Sequence, residues 1–238
     1  MISNKIQQGL IGTPYIPGDK SISHRSIIIP SISNGISEID NLLQSDDVMH
    51  TLNAFKDMGV NIIQENKKVI IEGKGLSSLK KPKNKIYLGN SGTSARLLTG
   101  LLCAQKFNTI LTGDKSLSSR PMKRITDPLK KMNANINTND GKMPLEIIGK
   151  ELSSAEIEIK IPSAQIKSGL ILAALNAFGT SRIIESYTTR DHTETMLSAF
   201  DANIEINKIN EKKIIKIKGK KELKAKNINV PSDLSSSA

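Results

Sequence analysis

The sequence predicts an α/β fold in which one βαβαββ unit occurs three times. Three observations carry this prediction. A small polar cluster runs into an apolar helical stretch at three places, an amphipathic segment ends in a small residue followed by Asn-Ile at three places, and a hairpin pattern follows each time. The pattern recurs with a period of roughly 70 residues, which is longer than solenoid repeats. Such α/β units are expected to pack around a shared core, forming one domain.

The first helix of each unit follows a small polar cluster. The polar clusters that precede these helices lie at residues 20–23, 90–94 and 163–165. Ser and Asn in such clusters are typical helix N-caps. The apolar run that follows each cluster is nearly continuous, so we expect the first helix of every unit to be buried.

The second helix and the closing hairpin follow in the same order in every unit. The amphipathic segments span residues 46–62, 120–136 and 190–204. Apolar side chains recur every three residues from Met49 to Met58, which favours a helix. Alternating apolar and polar residues predict hairpins at residues 61–73, 136–149 and 204–219, with a polar turn at 139–141 in the second.

Charge and composition narrow the range of partners. Lys and Arg number 34 against 23 Asp and Glu, a formal charge of +11 that indicates an anionic partner. Aromatic residues are 3% of the chain and Trp is absent, so few side chains could stack on single-stranded nucleic acid. We therefore expect no nucleic-acid partner, although a basic RNA-binding or structural module with the same fold stays an alternative.

The sequence also limits where the protein can be located and what chemistry its cysteine content allows. No apolar stretch approaches the ~20 residues of a membrane span, and the first residues do not match a signal peptide, so we expect a cytoplasmic protein without a membrane partner. A single cysteine excludes an internal disulfide and a cysteine-rich zinc site. Because Cys103 lies in an apolar run, we expect a buried, inert thiol.

Basic and hydroxyl residues cluster where helices should begin. Residues 17–25 place Lys20, Ser21 and Arg25 at a helix start, where unpaired amides and the helix dipole stabilise anions. A Ser N-cap with surface charges is the simpler interpretation. Residues 88–96 repeat this pattern with two glycines. The spacing of Gly and Lys does not match a nucleotide P-loop, so no nucleotide cofactor is indicated.

Two arginines and three histidines complete the set of candidates. Arg120 and Arg190 each lie near the start of a second helix, where a guanidinium could bind carboxylate or phosphate, or pair with a surface acid. The three histidines, at positions 24, 50 and 192, lack metal-ligand spacing. We therefore expect no metal site.

Five motifs together, at residues 17–25, 88–96, 120–122, 162–165 and 186–194, closely resemble the enolpyruvylshikimate phosphate synthase family. The resemblance implies transfer of the enolpyruvyl group of phosphoenolpyruvate to the 5-hydroxyl of shikimate 3-phosphate, with release of phosphate, in the pathway to aromatic amino acids. It implies no metal or redox cofactor. The related transferase that acts on UDP-N-acetylglucosamine differs in its opening motif and uses a loop cysteine, unlike Cys103.

The family fold has two domains, each of three βαβαββ units, so the resemblance implies a division of this chain. Residues 1–19 would be a strand segment of the other domain, 20–230 one complete domain, and 231–238 the crossover. The three units would span about 20–84, 85–152 and 153–230. We expect the chain to be the front part of a longer protein, with the second domain supplied in cis or in trans. The family's acid/base Asp lies in that half, so no catalytic residue and no turnover are expected here.

The resemblance also assigns substrate contacts to individual positions. Shikimate 3-phosphate would be bound by Lys20, Ser21, Arg25, Ser163, Ala164, Gln165 and Arg190. Phosphoenolpyruvate would be bound by Lys20, Asn90, Gly92, Arg120 and Gln165. Many glyphosate-insensitive relatives carry Ala at the position of Gly92, so a site that admits glyphosate is expected.

Overall fold

A computed structural model describes residues 16–65 and 68–233, which form three four-stranded sheets around buried helices. The first unit contains α1 Lys20–Ser31, β1 Asn34–Asp40, α2 Asp46–Asp57, β2 Asn61–Glu65 and β3 Lys68–Lys74. The second contains β4 Ile86–Tyr87, α3 Gly92–Cys103, β5 Asn108–Thr112, α4 Lys115–Ser119, α5 Lys123–Lys130, β6 Asn135–Asn139 and β7 Lys142–Ile148. The third contains β8 Glu156–Ile159, α6 Ala164–Asn176, β9 Thr180–Glu185, α7 His192–Ala199, β10 Ile204–Ile209 and β11 Lys212–Lys218, and β12 Ile228–Asn229 follows it.

The three sheets share one topology. The orders are β4-β5-β7-β6 and β8-β9-β11-β10, with the first two strands parallel and the rest antiparallel. In the first sheet, β12 takes the place of the opening strand and pairs in parallel with β1. The expected third unit, residues 153–230, therefore ends in a strand that belongs to the first sheet, and the division into units stays a prediction. This last strand covers the β1 edge, whose backbone groups need partners.

The first helix of each unit is buried, as expected. Ile27, Ile28 and Ile29 of α1 have no exposed surface. Helices α3 and α6 cross at two glycines, where a Cβ added to Gly100 would lie 1.9 Å from the carbonyl oxygen of Gly169. This close approach sets the spacing between the two helix starts that carry predicted site residues.

The second helices are shorter than the amphipathic segments. Helices α2, α5 and α7 end several residues before the Asn-Ile pairs, which instead begin the next strands or lie beside their starts. The physical reason is a residue in the left-handed region after each helix: Gly59 (φ 83°), Asn133 (φ 67°) and Asp201 (φ 63°). In the second unit an additional short helix, α4, precedes α5.

The three hairpins are confirmed as antiparallel pairs β2–β3, β6–β7 and β10–β11. In the second, Asp140 (φ 49°) and Gly141 (φ 75°) occupy the left-handed region that a two-residue hairpin turn requires.

Cys103 lies in the core with no exposed surface, and burial raises the pKa of its thiol to about 12. The expectation of a buried thiol is confirmed. No helix in the described residues is both long enough and apolar enough to span a bilayer.

The two expected domain boundaries lie side by side. Gly18 forms an antiparallel bridge with Ser232, and the Asp19 amide donates to the Pro231 carbonyl at 2.8 Å. Most of the expected opening strand, residues 1–15, lies outside the described part of the chain, as do residues 234–238. The division into domains stays a prediction.

Candidate anion-binding site

The start of α1 is fixed by its own cap and by an ion pair. The Asp19 carboxylate accepts a hydrogen bond from the Ile22 amide at 2.8 Å. The Lys20 ammonium pairs with Asp47 at the start of α2, and the Lys20 side chain is about half exposed, at 49%. With this pair formed, Lys20 does not line the cavity described next, so its predicted contacts to both substrates stay a prediction.

A cavity of about 480 Å³ opens where the starts of α1, α3 and α6 meet the loop before α7. Its lining residues are Ser21, Arg25, Thr93, Ser163, Ala164, Gln165, Thr188, Thr189, Arg190 and His192. All residues predicted to contact shikimate 3-phosphate, except Lys20, are among them. Within the described chain, no acidic residue lines this cavity, so its walls favour an anion.

Arg25 is the buried cation of the cavity, with 3% of its surface exposed. Its guanidinium donates to the hydroxyls of Thr193 at 2.6 Å and Ser168 at 2.7 Å, and to the Ser21 carbonyl at 2.7 Å. Burial lowers its pKa to about 10, which still leaves it charged at neutral pH. All three partners are neutral, so two of its five N–H groups and its charge stay available to a ligand.

Arg190 supplies a second cation from the loop between β9 and α7. Its side chain is exposed, and it makes no ion pair or hydrogen bond with any other residue in the described ranges. The pKa of the nearby His192 imidazole is lowered, first by partial burial and then by the positive charge of Arg25. The cavity therefore combines a fixed guanidinium with a free one.

The residues predicted for phosphoenolpyruvate form an adjoining cluster. Arg120 donates to the Asn90 side-chain oxygen at 2.6 Å. A Cβ added to Gly92 would lie 2.7 Å from a guanidinium nitrogen of Arg96 and 2.8 Å from one of Arg120. Asn90, Gly92 and Arg120 do not line the first cavity, but Gln165 connects the two areas.

Arg96 makes that connection, and it is absent from the residues predicted from sequence. It donates to the Gly92 carbonyl and to the Gln165 side-chain oxygen, both at 3.0 Å, while the Gln165 amide donates to Thr93 at 2.9 Å. Burial, then the neighbouring Arg120, lowers the pKa of Arg96. The i, i+4 spacing from Gly92 could have indicated it, because those positions share one helix face.

His24 is a core residue and not part of the cavity wall. Its Nδ1 lies 2.8 Å from the Thr51 hydroxyl and 3.2 Å from that of Ser94, and the residue is fully buried. Burial lowers the pKa of the imidazole to about 3, so the ring is neutral at physiological pH.

Comparison with known proteins identifies the family. Residues 5–238 match the family model described as EPSP synthase (3-phosphoshikimate 1-carboxyvinyltransferase). The protein of that name from Ruthia magnifica subsp. Calyptogena magnifica is 49% identical over 235 residues, covering 98% of this chain and 53% of the relative. Its namesake from Shouchella clausii (strain KSM-K16) is 44% identical over 237 residues, covering 99% and 54%.

A solved structure agrees. The EPSP synthase from Acinetobacter baumannii superposes with a TM-score of 0.88 at 45% identity, covering 95% of this chain and 51% of that one. The chain spans about half the length of the relatives it matches. The repeated α/β architecture agrees with these matches, which show that the chain belongs to the EPSP synthase family.

Proposed function

We propose that the cavity binds shikimate 3-phosphate and that the whole protein is a 3-phosphoshikimate 1-carboxyvinyltransferase. The observation that carries the proposal is the cavity wall, where Arg25 and Arg190 face a space that no acidic residue of the described chain lines. A phosphate dianion fits these two guanidiniums, because each can donate a pair of charge-assisted hydrogen bonds.

The start of α6 adds neutral donors to the same space. Ser163 caps this helix by accepting from the Ile166 amide at 3.4 Å, and Ala164 and Gln165 form its first turn. Free first-turn amides and the helix dipole favour an anion at this position. In the proposed complex the phosphate lies between Arg25, Arg190 and the start of α6, with the Gln165 amide beside the hydroxylated ring.

The adjoining cluster of Asn90, Gly92 and Arg120 is proposed to bind phosphoenolpyruvate, with Gln165 between the two substrates. Lys20 would reach either ligand only after leaving Asp47. Two anionic substrates repel each other, and the positive charges of both areas offset that repulsion. Positioning of this kind lowers the barrier to the transfer. We assign turnover to the whole protein, with the second domain in cis or in trans, and none to this chain alone.

RNA binding is the weaker alternative, because part of the lysine-rich surface is already paired. Lys212 lies 2.7 Å from Glu158, and Lys224 lies 3.1 Å from Asp201. Such pairs reduce the charge available to a polyanion.

Calorimetric titration of this chain with shikimate 3-phosphate tests the proposal. We expect saturable binding that weakens at least about tenfold in Arg190→Ala, because one of the two charge-assisted contacts is lost. Inorganic phosphate and short RNA are the controls, and neither should reproduce the binding. A folded chain that ignores shikimate 3-phosphate, both alone and when co-expressed with the second domain, would contradict the proposal. Strongly salt-dependent RNA binding would favour the alternative.

Gly92 is the basis of a second prediction, which concerns the inhibition of the whole protein by glyphosate. We expect inhibition, and we expect Gly92→Ala to raise the half-inhibitory concentration at least about tenfold, because the methyl group would displace guanidinium nitrogens. In this chain Gly92→Ala should change shikimate 3-phosphate affinity much less than Arg190→Ala does, since Gly92 does not line that cavity and reaches it only through Arg96 and Gln165. Full activity of the unsubstituted protein at high glyphosate would refute this expectation.

A further inference from the structure

A buried charge network lies directly behind the cavity. The Lys167 side chain on α6 has no exposed surface, and its ammonium lies 3.0 Å from the Glu185 carboxylate and 2.9 Å from that of Glu194. Lys213 lies 3.1 Å from the same Glu194 oxygen. Two cations thus balance two anions. A fully buried lysine is costly unless it is paired in this way, and removing one partner of such a network is destabilising because it leaves a buried charge uncompensated.

The network holds the loop that carries Arg190. The Lys167 ammonium donates to the Thr189 carbonyl at 3.4 Å, and the Thr189 hydroxyl donates to the Glu185 carboxylate. The backbone and the side chain of Thr189 are therefore both bound to the core, one residue before Arg190. Because Arg190 itself has no partner in the described ranges, its position depends on these anchors.

The charges of the network also affect the electrostatic potential at Arg25. Glu194 follows Thr193, whose hydroxyl accepts the Arg25 hydrogen bond, and its charge acts on the Arg25 guanidinium. With Lys167 present, the two cations and two anions of the network cancel. Without it, Lys213 alone would balance Glu185 and Glu194, and the net negative charge left next to the cavity would weaken its attraction for phosphate.

We infer that Lys167 is a positioning residue for the cavity. It orders the loop at residues 188–191 through Thr189 and, together with Lys213, balances the carboxylates near Arg25, without itself lining the cavity. The naming of shikimate 3-phosphate as the ligand rests on the proposed function, whereas the ordering of the loop does not.

The first test needs no ligand. Backbone ¹⁵N relaxation of this chain should give order parameters of roughly 0.85 at residues 188–191, falling below about 0.6 in Lys167→Met. The remainder of α6 and the three sheets should be unchanged. Should Lys167→Met fail to fold, the double variant Lys167→Met/Glu194→Gln removes one charge of each sign and still lacks the hydrogen bond to the Thr189 carbonyl. It should show the same loss of order.

The second test is a double-mutant cycle on shikimate 3-phosphate affinity. Lys167→Met should weaken binding about tenfold when Arg190 is present and much less in the Arg190→Ala background, because part of its effect passes through Arg190. Leu145→Ala, a buried position on β7, is the control: it should lower stability and leave affinity unchanged.

The outcomes separate the two proposals. An ordered loop in a folded Lys167→Met variant, or an equal affinity loss in both backgrounds, would overturn the role of Lys167. Loss of loop order together with no binding of shikimate 3-phosphate by the unsubstituted chain would support that role and count against the proposed function alone.

Discussion

Arg25→Met is expected to weaken shikimate 3-phosphate binding at least about 100-fold while changing the free energy of unfolding by no more than about 1 kcal/mol. The two effects separate because the guanidinium is buried without a carboxylate partner. Its hydrogen bonds go to Thr193, Ser168 and the Ser21 carbonyl, all of which are neutral. In the free protein, the charges of Glu194 and Asp19 offset only part of the cost of burying this guanidinium, and an anionic ligand would offset more of it.

Methionine matches the length of the arginine stem and needs no partner. The hydroxyls that it leaves behind are satisfied by one another, since Thr193 donates to Ser168 at 2.7 Å and Ser168 donates to the Ala164 carbonyl at 2.7 Å. Stability therefore changes little. The ligand, in contrast, loses a desolvated charge-assisted contact, and truncation of such contacts costs about 2–5 kcal/mol of binding energy.

Calorimetry and urea denaturation on the same samples measure the two quantities. Arg25→Lys keeps the charge but not the planar fork, so its affinity should fall between those of the unsubstituted chain and Arg25→Met. Arg182→Met is the matched control, because Arg182 lies on the exposed face of β9, paired with Glu156. A large stability loss in Arg25→Met with unchanged affinity would mean that Arg25 is structural.

Local patterns account for the parts of the fold that were predicted from sequence. The three buried helices begin at Lys20, Gly92 and Ala164, within or next to the polar clusters, because capping residues and apolar runs are properties of neighbouring residues. The pairing of β12 with β1 was not predicted. It joins residues nearly 190 positions apart, Ile39 with Ile228, and a two-residue strand has no periodicity that could indicate it.

The candidate site, too, was predicted from the sequence only in part. The motif resemblance selected Ser21, Arg25 and Gln165, and the cavity brings them together. It could not indicate that Lys20 pairs with Asp47, because that contact depends on how α1 packs on α2. Lys167 is a single lysine in a mostly apolar helix, and only the packed structure places two carboxylates beside it.

Gly100→Ala is expected to lower the free energy of unfolding by about 3 kcal/mol, at the upper end of the usual cost of overpacking. At an exposed helix position the same change would stabilise by about 1 kcal/mol, because alanine favours the helix. Here the new methyl carbon would lie 1.9 Å from the Gly169 carbonyl oxygen and 2.5 Å from its carbon. These are backbone atoms of α6, so no side chain can move aside and the two helices must separate.

Urea denaturation measures the loss, with Asn53→Ala on the exposed face of α2 as a control that should change stability by less than about 0.5 kcal/mol. Separation of α3 and α6 also reaches the cavity, because Arg96 and Thr93 on α3 are hydrogen-bonded to Gln165 on α6. We therefore expect Gly100→Ala to weaken shikimate 3-phosphate binding as well, from a position that does not line the cavity. A variant with unchanged stability would mean that the helices do not cross at these glycines. Reduced stability with unchanged affinity would mean that the crossing does not control the cavity.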